Sequence, residues 1–188
     1  DFDKAIMEII SKKFKKEFKE DLDLSKSNFT ISDAEDVKIS LSSLSEKKVT
    51  IVAEGHPKHV FTITRKEFEA EISSLLTQMK MTCENILTEA DRDISKIQEI
   101  FLAGGSSRIP IVQDMLKELL GKKPKLKGNP DEAISLGAAI YAGLKTDKKN
   151  LKAKQKDSVS EVKLQEISPA FFGTISLNDQ NKPVNSIL

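Results

Sequence analysis

The sequence is poor in the residues that build disulfides and metal centres. Cys83 is the single cysteine among 188 residues, which excludes an internal disulfide framework and a cysteine-rich zinc site and fits a reducing compartment. The two histidines, His56 and His59, have no further zinc ligands evident nearby, so a surface turn is favoured over a metal site. Cys83 lies in a helical pattern and is predicted to belong to the core.

The sequence also lacks an excess of one charge and a long apolar run. Its 30 Lys and Arg residues against 29 Asp and Glu residues give +1, so the overall charge demands neither nucleic acid nor an anionic membrane as partner. The longest weakly polar run, 133–144, is shorter than the roughly 18 residues that span a bilayer. No signal peptide opens the chain, and because it starts at Asp1 rather than Met we expect a fragment of a soluble globular protein.

A glycine-containing segment organises the remaining patterns. Residues 99–110, EIFLAGGSSRIP, begin with five residues that predict a buried strand. Apolar residues recur at helical spacing after Pro110, and Gly121 is predicted to cap the end of that helix. Gly104 and Gly105 have no Cβ, so a ligand can approach the backbone closely. A helix that begins between Ser107 and Pro110, with a hydroxyl as its cap, would direct free N–H groups at a phosphate or a polar nucleoside edge. A tight turn between two core elements is an equal alternative, and the segment is neither a P-loop nor a dinucleotide fingerprint.

Two amphipathic helices are predicted before the first strands. The first covers 3–20, and its lysines favour a solvated face over a nucleic-acid patch because aromatic interleaving and net basicity are missing. The second would start at Asp33, after a loop over 22–30, since Ser32 and Glu35 form an S-x-x-E capping box. The apolar stripe of the first helix consists of Phe2, Ile6, Ile10, Phe14 and Phe18.

The second of these helices carries a polar row beside its buried stripe. Glu35, Lys38 and Ser42 are spaced at i, i+3 and i+7, which lines them up on one face. Such a row can hydrogen-bond a ribose, but spacing alone favours an exposed ion pair and a serine. The buried stripe consists of Ala34, Val37 and Leu41.

The middle of the chain predicts a β-hairpin followed by a broken helix. Segments 48–53 and 60–64 are rich in β-forming residues and flank a turn-forming cluster. The next helix opens at Thr64 or Arg65 and runs in two pieces to about Ala90. Its core-facing positions are Phe68, Ile72, Leu75, Met79, Ile86 and Leu87.

The last third of the sequence changes in character twice. Asn129 as cap, Pro130 at the first position and two following acids predict a helix start, and the small residues after them suit a core helix. Residues 146–160 have no apolar period and predict a flexible, exposed linker. Beyond it, 162–169 is predicted to be extended and 170–177 to be a strand, with a turn at 178–181.

Several of these segments together resemble the 70-kilodalton heat-shock (DnaK-type) chaperones. They are similar, in chain order, to the start of subdomain IIB, the nucleotide-clasping helix, the helix after the hairpin, the adenosine loop and the second hinge helix of that family. Order and spacing agree from residue 1 to about 145, so the combined match is more specific than any single motif. The matching segments are residues 1–3, 34–43, 63–69, 102–110 and 129–139.

The resemblance implies an α/β fold, α+β in its first subdomain. The implied domain is the actin-like, ribonuclease H-like ATPase domain. This chain would carry an incomplete lobe II of that domain. The glycine-loop strand would then lack its parallel neighbours. The implied domains are subdomain IIB at 1–76, part of subdomain IIA with the adenosine loop at 77–145, an interdomain linker at 146–162 and the start of a substrate-binding β domain at 163–188.

The resemblance also implies an adenine-nucleotide site. Arginine guanidinium groups stack on planar bases and carboxylates accept ribose hydroxyls, so the matched residue types suit that ligand. The family's phosphate loops, catalytic lysine and threonine, and metal-holding aspartates all precede Asp1, so this chain is expected to carry no catalytic residue, to hold no metal and to hydrolyse no ATP by itself. The implied nucleotide-binding residues are Glu35, Lys38, Ile39, Ser42, Gly104, Gly105, Ser106, Arg108, Ile109 and Asp131.

The function implied is that of a fragment of an ATP-dependent molecular chaperone. ATP or ADP would be its cofactor, with Mg²⁺ held outside this chain, and nucleotide would control binding and release of unfolded client peptides. The expected partners are those clients, a J-domain co-chaperone and a nucleotide-exchange factor, without nucleic acid or membrane. A role in the stress response and a cytoplasmic location are expected. The alternative is a non-hydrolysing, chaperone-like interaction protein that uses the IIB surface for docking.

Overall fold

The structure is a computed structural model that describes residues 1–125 and 129–164 and the backbone of two later strands. The chain divides into two compact units, Asp1–Leu136 and Gly137–Leu188. The strands are β1 (Glu46–Ile51), β2 (His59–Thr64), β3 (Gly173–Leu177) and β4 (Pro183–Ile187). The helices are α1 (Phe2–Phe18), α2 (Ile31–Leu41), α3 (Arg65–Glu71), α4 (Ser73–Glu89), α5 (Pro110–Leu120), α6 (Ala133–Lys145) and α7 (Ala153–Ser160).

Helix α1 supplies the centre of the core of the first unit. Ile6, Ile10 and Phe14 of its predicted stripe are almost fully buried, and they pack with α2, α3 and β2. The chain leaves the helix at Lys19, which takes a left-handed conformation with φ 62°. The predicted stripe of α2 is confirmed as well, because Ala34, Val37 and Leu41 are all buried.

The predicted hairpin and broken helix are confirmed, but the first strand begins and ends two residues earlier than predicted. Strands β1 and β2 pair antiparallel, with Glu46 opposite Thr64. Thr64 and Glu67 then form a capping box that starts α3, and the helix breaks at Ile72 before α4. One burial prediction on α4 is wrong, because Ile86 is 58% exposed. Cys83 is half-buried and packs against the edge of the core.

The predicted start of α2 is wrong by two residues. The capping box is formed by Thr30 and Asp33, with the Asp33 N–H donating to Thr30 Oγ1 at 3.3 Å and the Thr30 N–H donating to Asp33 Oδ2 at 2.8 Å. Ser32 therefore lies inside the first turn. Phe29, in the segment predicted as a loop, is buried, and this anchors the chain immediately before the helix.

The strand predicted ahead of the glycine loop does not form among the described residues. Phe101 makes only an isolated parallel bridge to Lys125, because a parallel strand needs neighbours to continue its ladder. Helix α5 begins at Pro110 and ends at a left-handed Gly121, as predicted. Its N-cap is Ile109 and no side chain caps it, so the expected hydroxyl cap is absent there.

Helix α6 begins later than predicted and is not a core helix. Asn129 Oδ1 accepts a hydrogen bond from the Asp131 N–H at 3.2 Å, so the Asn-Pro-Asp-Glu sequence forms a turn and the helix follows at Ala133. None of the residues of α6 is buried, and Ile134 is 73% exposed.

The second unit has more regular structure than the sequence predicted. Within the expected flexible linker, Lys148–Asn150 forms a 3₁₀ turn and α7 forms a short helix. Residues 162–164, the described part of the segment predicted to be extended, belong to neither a helix nor a strand. A Cβ added at Gly143 of α6 would lie 3.0 Å from Val159 Cγ1, so the two helices approach closely there. The predicted strand is confirmed over β3, which pairs antiparallel with β4. Residues 165–172 and the predicted turn at 178–181 lie outside the described residues.

The described part of the chain holds no helix that is long and apolar enough to cross a membrane. Within that same part, no group of His, Cys, Asp and Glu side chains is placed to hold a metal ion.

Candidate nucleotide-binding site

A cavity of about 270 Å³ separates α2 from the glycine loop. It lies within the first unit, and segments far apart in sequence meet around it. All but two of the predicted site residues line it. The lining residues are Glu35, Lys38 and Ile39 from α2 with Ser42 at its C-cap, Gly105, Arg108 and Ile109 from the glycine loop, and Asp131 from the turn before α6.

The α2 wall of the cavity follows from the helical period. Because Ala34, Val37 and Leu41 are buried in the core, the neighbouring face, with Glu35, Lys38, Ile39 and Ser42, is left toward the cavity. Ile39 is 58% exposed and offers an apolar surface, while the Ser42 hydroxyl donates to the Lys38 carbonyl oxygen at 3.3 Å. The capping hydrogen bonds from the Thr30 hydroxyl and backbone hold the pKa of Asp33 below its usual value, so the start of α2 is fixed by a charged cap.

Lys38 is the buried charge of this wall. Its side chain is 11% exposed, and its Nζ lies 2.7 Å from Asp3 Oδ1 of α1 and 3.7 Å from Glu35 Oε1. The Asp3 contact is short enough for a hydrogen bond, but Oδ1 accepts none in the described structure, so it is an ionic contact with poor hydrogen-bond directionality. The lysine is therefore neutralised mainly by a residue outside the predicted set.

Arg108 is held on the opposite wall by two acceptors. Its Nη2 donates to Asp131 Oδ2 at 2.7 Å and to Asn129 Oδ1 at 2.9 Å. The arginine and Asp131 side chains are both about half exposed, so this pair adds little to stability and mainly fixes the guanidinium plane. The guanidinium is thus held on one side of the cavity, and the apolar Ile39 side chain lies on the other side. These two surfaces are suited to a planar, aromatic ligand.

The backbone of the glycine loop lies close to the turn that carries Asp131. Gly104 has φ 85°, a left-handed conformation that favours glycine, and its N–H donates to the Pro130 carbonyl oxygen at 2.8 Å. A Cβ added at Gly105 would lie 3.3 Å from Asp131 Oδ1. The second glycine therefore leaves room for the carboxylate that orients Arg108.

Two predicted residues lie outside the cavity. Gly104 acts through its backbone contact with Pro130, and Ser106 lines a different cavity of about 600 Å³ together with Asp3 and Cys83. Ser106 is directed away because the loop makes a 3₁₀ turn over 105–108. Its neighbour Ser107 is buried and donates to the Gly104 carbonyl oxygen at 2.6 Å, which stabilises that turn.

Asp3 and Asn129 contribute to the site although the sequence did not predict either role. The sequence predicts Asn129 as a helix cap. Its side chain also accepts a hydrogen bond from Arg108, because an Asx turn takes the place of the predicted first helical turn. The Asn-x-Asp spacing of Asn129 and Asp131 is the sequence pattern that could have predicted this turn. Asp3 had no such signal, because its contact with Lys38 arises from the packing of α1 on α2.

Comparison with known proteins identifies the family. Residues 1–182 match the family model described as Hsp70 protein. The chain belongs to the Hsp70 family. The family match confirms the resemblance found in the sequence. The mixed helices and strands of this Hsp70 chain agree with the α/β class and the actin-like ATPase fold of the family. The lobe, linker and domain assignments stay predictions.

Several Hsp70 relatives are similar over nearly the whole chain. The stromal 70 kDa heat shock-related protein of Pisum sativum is 37% identical in an alignment 187 residues long, which covers 94% of this chain and 25% of the relative. The heat shock 70 kDa protein 7 of Arabidopsis thaliana is also 37% identical, with 94% of this chain and 24% of the relative covered. The chain thus spans about a quarter of the length of these relatives. Both are named chloroplastic, so the predicted cytoplasmic location is wrong.

Proposed function

We propose that this chain forms the adenosine side of the nucleotide site of an Hsp70 molecular chaperone. The single observation that carries the proposal is the cavity itself, around which α2, the glycine loop and the Asp131 turn bring together residues that the family resemblance implies for one nucleotide. Its volume of about 270 Å³ lies just below the roughly 300–1,000 Å³ common for small-molecule sites, which suits a ligand as small as one nucleoside.

The lining chemistry fits each part of adenosine. The Arg108 guanidinium and the Ile39 side chain offer a cationic plane and an apolar surface for the two faces of the base. Glu35 offers carboxylate oxygens to ribose hydroxyls, and Lys38 and Ser42 add donors near them. Asp131 accepts a hydrogen bond from Arg108 at 2.7 Å, and the missing side chain of Gly105 leaves room for its carboxylate.

In the whole protein, ATP or ADP bound here with Mg²⁺ would control the binding and release of unfolded clients. A ligand shifts such an equilibrium only by as much as it binds one conformation more tightly than another, so the adenosine contacts would have to differ between the two states. A J-domain co-chaperone and a nucleotide-exchange factor are the partners that family membership supports. The names of the relatives favour a plastid as the compartment.

Equilibrium titration of the 188-residue chain tests the proposal. Isothermal calorimetry with adenosine and with guanosine should give saturable binding of adenosine and at least tenfold weaker binding of guanosine. The reason is that the family resemblance assigns Lys38 and Ser42 to the adenine edge as well as to the ribose, and guanine presents different donors and acceptors there. Equal binding of both nucleosides, or binding of neither, would refute the assignment. The docking alternative without nucleotide predicts no heat with either ligand.

A further inference from the structure

Lys38 stands between two carboxylates that have different environments. Its Nζ lies 2.7 Å from Asp3 Oδ1 and 3.7 Å from Glu35 Oε1. The Asp3 side chain is 28% exposed and comes from α1, whereas the Glu35 side chain is 58% exposed and lines the cavity. The lysine ammonium is thus drawn toward the core and away from the carboxylate that faces the ligand space.

The carboxylate of Asp3 depends on Lys38 for its counter-charge. Its Oδ1 atom is buried and accepts no hydrogen bond within the described part of the chain, so the Lys38 ammonium is the group that balances it. Lys38 in turn is only 11% exposed, and a buried ammonium needs a counter-charge. Each member of the pair therefore fixes the other.

We propose that Asp3 is a positioning residue for the nucleoside site, because by holding Lys38 it keeps the Glu35 carboxylate free to accept ribose hydroxyls. The inference rests on the proposed adenosine site and adds to it a residue of α1 that lies outside the 270 Å³ cavity. Asp3 acts on ribose recognition through Lys38, and it touches no ligand.

Asp3→Asn would redirect the lysine. The amide carries no charge, so the buried ammonium would turn to Glu35, which is already within 3.7 Å. A carboxylate that is paired in this way is a poorer acceptor for a hydroxyl. A hydrogen bond to a charged group accounts for about a tenfold difference in affinity, so adenosine should bind the variant about tenfold more weakly.

The test compares adenosine with 2′,3′-dideoxyadenosine, which lacks the 2′ and 3′ hydroxyls of the ribose, on the 188-residue chain by calorimetry. The wild-type chain should prefer adenosine, Asp3→Asn should reduce that preference about tenfold through weaker adenosine binding alone, and Asp3→Glu should restore part of it. Equal weakening of both ligands by a folded Asp3→Asn chain would overturn the inference, as would an unchanged preference.

A Lys38→Met background keeps the test decisive if Asp3→Asn alone is poorly folded. The double variant removes both charges of the pair and leaves no unpaired buried ion. Its preference for adenosine should equal that of Lys38→Met alone, because no cation remains to be redirected. A further drop in the double variant would overturn the inference while leaving the adenosine site intact, whereas a wild-type chain that binds neither ligand would overturn both.

Discussion

Arg108 Nη2 donates to Asp131 Oδ2 at 2.7 Å, across 23 positions of sequence, and this pair joins the glycine loop to the turn before α6. The same nitrogen donates to Asn129 Oδ1 at 2.9 Å. Two acceptors on one turn thus orient the guanidinium, which lines the cavity opposite α2. The predictions for the nucleoside site follow from this arrangement.

Gly105→Ala should weaken adenosine binding without loss of the fold. The added Cβ would lie 3.3 Å from Asp131 Oδ1, so the carboxylate would have to shift and Arg108 would lose its fixed orientation. We expect a loss of affinity of about tenfold, the equivalent of one charge-assisted hydrogen bond. The matched control is Gly137→Ala, whose Cβ would meet nothing within 4 Å. Titration calorimetry would contradict the account if both variants bound adenosine as the wild type does.

MgADP should bind this chain with nearly the same affinity as adenosine. The cavity offers contacts for a base and a ribose, and the family's phosphate loops are expected outside this sequence. A difference of less than about tenfold, or 1.4 kcal/mol, is predicted. Competition between the two ligands in one calorimetric series measures it, and a hundredfold preference for MgADP would show that phosphate groups are recognised within the chain.

Ile10→Ala should destabilise the first unit strongly, whereas Ile86→Ala should not. Ile10 is fully buried at the centre of α1, and Ile86 is 58% exposed on α4. Removing the buried side chain leaves a cavity and costs about 2–5 kcal/mol, while an exposed substitution stays within about 0.5 kcal/mol. Urea unfolding followed by circular dichroism reports both values. Equal effects of the two substitutions would contradict the packing of α1.

Asp33→Ala should lower stability in a pH-dependent way. The pKa of Asp33 is held below its usual value by hydrogen bonds from the Thr30 hydroxyl and backbone, so the carboxylate stabilises the fold above the unfolded-state pKa of about 3.9. That contribution is lost as the pH falls through the folded-state pKa. The difference between wild type and variant should therefore be on the order of 1 kcal/mol at pH 6 and shrink below about pH 4.

Asp36→Ala is the matched control for this capping prediction. Asp36 lies one turn further along α2, and its side chain takes no part in the capping box at Thr30 and Asp33. Its substitution should change the urea midpoint little at pH 6. A difference for Asp33→Ala that stays constant from pH 6 to pH 3 would show that the carboxylate does not titrate with folding.

Local patterns predicted the elements whose stability is local or whose apolar stripe is regular. The stripe of α1, the hairpin, the Thr64 start of α3 and the Gly121 end of α5 all follow from periodicity and capping chemistry. The start of α2 was missed because Thr30 with Asp33 and Ser32 with Glu35 are both chemically acceptable boxes. Burial of Phe29 decides between them, and burial is not readable from the sequence.

The residues that line the candidate site could be named from the sequence, but the residues that hold those side chains in place could not. A family resemblance placed Glu35, Lys38, Arg108 and Asp131 near one ligand, and their meeting around one cavity agrees with it. The pairing of Lys38 with Asp3 depends on how α1 packs against α2, which no motif encodes. The strand predicted at 99–103 failed for a related reason, because its ladder depends on partners outside its own segment.

Calorimetric titration of adenosine into the wild-type chain, Arg108→Ala and Arg92→Ala addresses the nucleoside site itself. Arg108 lines the cavity, whereas Arg92 is an exposed arginine in the turn after α4 and lies outside it. The account predicts that Arg108→Ala loses at least tenfold in affinity and that Arg92→Ala binds as the wild type does. Equal adenosine affinity for Arg108→Ala and the wild type would contradict it.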